Sequence, residues 1–128
     1  NCAYGCFLGC CMSGNIKYDK WINDDNSENY KCRAWVNFNG TGVVSIRASG
    51  NVSSVTDVTT GTYQINFTNA FADASYSAVA MNRADTDYGP IVGQPHNYAT
   101  QSTTSIYLKC GSYGALTDSS VVTVAIFR

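Results

Sequence analysis

Apolar and polar residues alternate through the middle of this chain with the two-residue period of β-strands. Tyr63, Ile65 and Phe67 alternate with Gln64, Asn66 and Thr68, so one side of that segment faces a core and the other faces water. Trp35, Val36 and Phe38 lead into Asn39-Gly40, a dipeptide suited to a two-residue hairpin turn with positive φ at both central positions. Val43, Val44 and Ile46 then resume the strand pattern, and the Val, Ile, Thr and aromatic residues throughout suit a pleated, packed surface. Strands are predicted at 34–38, 43–47, 52–56, 62–67, 76–81, 91–92, 105–109 and 121–127. The last is almost continuously apolar, which predicts a strand buried on both faces. No stretch carries a helical period of useful length, and 69–73 predicts at most one short turn. Strands this short and regularly spaced predict an all-β fold: an antiparallel, jelly-roll-like β-sandwich of about eight strands occupying residues 31–128.

Residues 1–30 have a different character. A cysteine-rich opening is followed by a polar, Asn- and Asp-rich stretch in which Tyr18, Trp21 and Ile22 are isolated apolar points. Asp24-Asp25-Asn26-Ser27 is turn chemistry. The segment reads as an arm or linker, and two placements suit it: reaching a neighbouring molecule, or packing on its own domain. The opening residue is Asn1 rather than Met, which fits either a removed leader or a piece of a longer polypeptide.

Composition narrows the classes of partner. Only 13% of residues are charged, and the net charge is −1. The eight basic residues are scattered from Lys17 to Arg128, whereas steering toward phosphate backbones or anionic lipid needs them clustered. Neither nucleic-acid binding nor electrostatic membrane binding is expected. No apolar run approaches the roughly 20 residues that span a bilayer, so membrane insertion is not expected either.

Cys2, Cys6, Cys10 and Cys11 crowd the arm, while Cys32 and Cys110 flank apolar strands. An even count in a small chain favours disulfides in an oxidising compartment. Cys32 and Cys110 are expected to pair, closing a loop of about 80 residues for about 4–5 kcal/mol at most. The other four are expected to pair locally or with a neighbouring subunit. Zinc is the rival for the arm, but Cys-x3-Cys-x3-Cys-Cys lacks paired Cys-x2-Cys knuckles and has no histidine nearby. Free buried thiols are the third reading. A helix aligning Cys2, Cys6 and Cys10 on one face is opposed by Gly5 and Gly9.

The strings WVNFNGTG, SIRAS and NVSSVTD, the segment 63–68 and a closing VAIF resemble a module of tail-fibre and other virion proteins of marine bacteriophages. The similarity is dense over 33–76 and returns at 121–127, covering more than half of the chain. Two positions depart from the module: Cys32 directly precedes the motif, and Val58-Thr59-Thr60-Gly61 replaces its usual Asn-Gly after Thr-Asp. The cysteine-rich opening is also foreign to it. The resemblance implies a non-enzymatic, structural or adhesive component at the virion surface or on an appendage. Its partners would be copies of itself (a trimer or polymer) and other virion proteins; the resemblance leaves open whether this copy also touches a host, through a surface glycan, or only joins or decorates a larger particle. A secreted β-sandwich, forming an extracellular filament or binding glycans, is the alternative.

Candidate chemistry is sparse, and no cofactor or metal is expected. His96, the single histidine, sits in a Gly- and Pro-punctuated loop with no nucleophile–base–orienter set around it. Asp85 and Asp87 share one short loop, whereas glycosidase carboxylates flank a scissile bond from opposite sides. A calcium site from Asn82, Asp85 and Asp87 lacks the full oxygen-ligand series. Recognition is expected from loops carrying Arg83, Asp85, Asp87, Tyr88, His96, Asn97 and Tyr98, where tyrosine rings beside amides and carboxylates suit sugars. Capping the core or facing a subunit is the other use for Tyr88 and Tyr98. Asn39, Asn51 and Asn66 begin N-glycosylation acceptor triplets, which in a phage protein are simply strand and turn residues.

Overall fold

The computed structural model describes residues 31–83, 90–93, 101–112 and 114–128. Nine strands occur there: β1 (Cys32–Asn39), β2 (Ser45–Gly50), β3 (Val52–Thr59), β4 (Thr62–Phe67), β5 (Ser77–Asn82), β6 (Pro90–Gly93), β7 (Ser105–Ser112), β8 (Ala115–Leu116) and β9 (Val122–Phe127). They form two antiparallel sheets, ordered β2-β1-β9-β5 and β3-β4-β7-β6, with β8 also paired to β7. The all-β sandwich is therefore the fold. The strand missed in the sequence, β8, has two residues, too few to show a period. Residues 69–73 form bends, with Phe71 buried.

Alternation builds the core. Ala34, Val36 and Phe38 of β1 and Val122, Val124 and Ile126 of β9 point inward from the first sheet. Tyr63, Ile65, Ile106, Leu108 and Cys110 meet them from the second. Phe38 and Tyr63 pack edge to face with ring centroids 5.1 Å apart, and Phe67 stacks the same way against Phe71 at 4.8 Å. Each such side chain contributes about 1.5–3 kcal/mol by leaving water.

The chain first changes sheets at the corner between β2 and β3. Asn51 takes a positive φ of 55° between β2 and β3. Its Nδ2 donates to the carbonyls of Arg33 and Asn69, both at 3.2 Å, and its Oδ1 accepts from the Asn69 N–H at 2.8 Å. One amide thus ties the start of β1, the corner and the end of β4 together.

Three expectations are corrected. Asn39-Gly40 is not a two-residue turn: β1 and β2 are joined by 40–44, and the positive φ falls on Gly42 (64°). Gly40 is required for close approach instead, since a Cβ there would lie 2.3 Å from the Tyr63 hydroxyl oxygen. The strand predicted at 43–47 starts two residues later, leaving Val43 91% exposed in the loop. Cys32 and Cys110 are both free. Cys32 opens β1 beside Phe127, whereas Cys110 bonds to Gly61 at the far end of the sandwich, near Gly40 and Tyr63. The eight residues of β1 span roughly 23 Å, and a disulfide needs Cα atoms within about 7 Å.

Candidate functional site

Of the loop residues predicted to recognise a ligand, Arg83 is described. It follows β5, and its N–H donates to the Val121 carbonyl at 2.9 Å, anchoring the strand end. Asp85, Asp87, Tyr88, His96, Asn97 and Tyr98 lie outside the described residues, as do Cys2, Cys6, Cys10, Cys11 and the whole predicted arm. No group of three metal-ligating side chains occurs among the described residues, and no helix there is long and apolar enough to cross a membrane.

The acceptor asparagines have local tasks. Asn39 Oδ1 accepts from the Thr41 N–H and hydroxyl at 3.2 and 2.8 Å, closing the loop after β1. Asn66 Nδ2 donates to Ser54 and Thr56 across β3–β4.

Polar chemistry concentrates at the Gly40 end of the sandwich. Asp118 Oδ1 accepts from the Gly61 N–H at 2.7 Å and from the Tyr63 hydroxyl at 3.0 Å. Burial, and then the hydrogen bond and charge of Asp118, hold the Tyr63 phenol well above its ordinary range. Burial likewise pushes the Cys110 thiol up to about 12, with Asp118 adding to it. A thiol shifted this way stays protonated at neutral pH and is a poor nucleophile. Asn82 Nδ2 donates to Gly111 O at 3.2 Å and Ser119 Oγ at 2.9 Å, while its buried Oδ1 has no partner among the described residues. The cluster closes the end of the core.

The outward faces of the two sheets differ sharply. On the second sheet, Asn66 bonds to Ser54 and Thr56, and Gln64 donates to Ser105, so outward side chains form a hydrogen-bonded polar ladder. On the first sheet, Trp35, Ala125 and Val79 stand side by side on β1, β9 and β5. Asn37, Thr123 and Met81 form the next row. Trp35, Val79 and Met81 are 43%, 58% and 64% exposed. These residues line an open depression of about 420 Å³ with no charged side chain in its lining. The Trp35 indole explains its shape: it leans over Gly50 on edge strand β2, away from β9, and uncovers Ala125. Beyond it, Arg47 spans from Asn37 Oδ1 (3.3 Å) to the Ser120 carbonyl (2.7 Å) and borders the apolar area.

This face was not anticipated, although its signal was present. The apolar run at 121–127 predicted two buried faces; Val122, Val124 and Ile126 are buried, but Phe127 is 37% exposed and the outward side of β9 floors the depression. No family model, curated protein or solved structure matches the chain.

Proposed function

We propose that this chain is a non-enzymatic structural and attachment module of a bacteriophage virion appendage, working outside the cell and joined to copies of itself or to neighbouring particle proteins. The resemblance over 33–76 supports the setting. The observation that carries the mode of action is the uncharged, largely apolar depression over β1, β9 and β5 on the outside of the first sheet, opposite the hydrogen-bonded polar ladder of the second. A contiguous apolar patch of a few hundred Å² often marks a contact surface, whereas single exposed apolar residues are ordinary. The second sheet keeps the molecule dispersed in water while the first docks. Gold-labelled antibody against the domain, applied to purified particles, tests the setting. Label at a tail, fibre or shell position is expected, and particles free of label and of the chain's peptides would overturn the reading.

A further inference from the structure

The outer face of the first sheet has the relief of a surface that fits itself. On it, β5 carries a ridge, Val79 and Met81, and the adjacent β9 carries small side chains, Ala125 and Thr123, at the same levels. Trp35 on β1 forms the second wall. The two walls are two strand spacings apart, about 10 Å, with the small residues between them. A ridge therefore lies beside a groove wide enough to receive one like it.

We propose that the occupant of this groove is the ridge of a second copy of the chain. A two-fold axis parallel to the strands, placed between β5 and β9, sets each β5 over the β9 of the other copy. Rotation about that axis leaves position along the strand unchanged. Val79 thus meets Ala125 of the second copy, and Met81 meets its Thr123. The two Trp35 indoles close the flanks, each beside the other copy's β5. This is an isologous contact, in which one patch serves both partners.

Charge supports like-on-like pairing. Two identical charged faces repel, but the depression is lined without Asp, Glu, Lys or Arg. The size of the contact sets its strength. Three strand spacings by six residues make roughly 14 Å by 20 Å, about 300 Å² of sheet per copy. Stable pairs bury about 800 Å² of accessible surface per partner. The isolated contact is therefore weak, and copies tethered close together in a particle make it effective. The inference rests on the proposed function only in taking this face as a contact surface; pairing in solution and location on a particle succeed or fail separately.

Sedimentation of the full chain in reductant, which removes disulfide-linked species, tests it at concentrations raised to about 1 mM. A reversible monomer–dimer equilibrium is expected. Val79→Lys brings two like charges together at the same level of the interface and weakens it at least about tenfold, with an unchanged thermal melt. Ala125→Glu is also monomeric. An equimolar mixture of the two variants recovers dimer, because the ammonium introduced on one copy then meets the carboxylate introduced on the other. Wild-type chain that stays monomeric throughout overturns the pairing, as does a folded Val79→Lys chain that dimerises normally. Monomeric wild type whose Val79→Lys variant is lost from particles overturns it too, and gives the face to another particle protein.

Discussion

The Trp35 indole lies across Gly50 on the neighbouring strand, so close that a Cβ at position 50 would sit 2.4 Å from the indole nitrogen. That contact holds the largest side chain of the face over the sheet edge and leaves Ala125 uncovered. Gly50→Ala is therefore expected to move the ring toward β9 and fill the groove. The Trp35 indole N–H resonance should shift and self-association should fall, while the melting temperature changes little because only a movable side chain is displaced. An unshifted resonance with undiminished association would show that Gly50 does not set the ring position.

Gly40 and Gly42 separate two uses of glycine in one loop. A Cβ at Gly40 would meet the Tyr63 ring and hydroxyl at 2.6 and 2.3 Å in the closed core. Gly40→Ala is expected to cost about 2–3 kcal/mol in urea unfolding, as overpacking does. Gly42 has open space around it but a φ of 64°, so Gly42→Ala costs about 1 kcal/mol of backbone strain. The reverse order of effects would refute the close-approach role of Gly40.

Asp118 holds two donors, the Gly61 N–H and the Tyr63 hydroxyl. Asp118→Ala strands the Gly61 N–H, leaves the Tyr63 hydroxyl only the Gly40 carbonyl at 3.1 Å, and is expected to lose about 1–3 kcal/mol. Tyr63→Phe leaves the Gly61 bond in place and loses about 1 kcal/mol. A double-mutant cycle should give a coupling of about 1 kcal/mol, and strict additivity would mean that the two side chains do not support one another.

Alkaline pH reads the buried thiol. Cys110 titrates at about 12 when folded against an ordinary value near 9. Over that window the unfolded chain loses a proton that the folded chain keeps, so stability falls with rising pH by up to about 1.4 kcal/mol per unit. Below pH 9 the thiol contributes no pH dependence. Tyr63 and Tyr76 are shifted the same way by burial, and their part begins near pH 10. Cys110→Ala should remove the earlier portion of the decline, and a pH profile parallel to wild type would rule the assignment out. In the native chain, alkylating reagent should label Cys32 and spare Cys110.

Much of the fold was legible from alternation alone. Tyr63, Ile65 and Phe67 announce β4 at its observed bounds, and the apolar run at 121–127 announces β9 within one residue. The Asn39-Gly40 turn was misread because a glycine that admits positive φ and one that admits a neighbouring ring look the same in a sequence. The Cys32–Cys110 pair failed for a related reason: flanking apolar strands says nothing about which end of the sandwich each thiol occupies. The apolar face was half visible. Outward Ala125 and Phe127 broke the alternation expected of a solvated sheet, but burial on both faces was the reading, because intramolecular cover and cover by another molecule leave the same pattern.

Oxidative footprinting of the chain within its native assembly, compared with the isolated chain at low concentration, tests the central claim most directly, because Trp35 and Met81 are both readily oxidised. The account predicts that both are protected in the assembly while Tyr107 on the second sheet oxidises equally in the two states. Equal oxidation of Trp35 and Met81 in both states would contradict it.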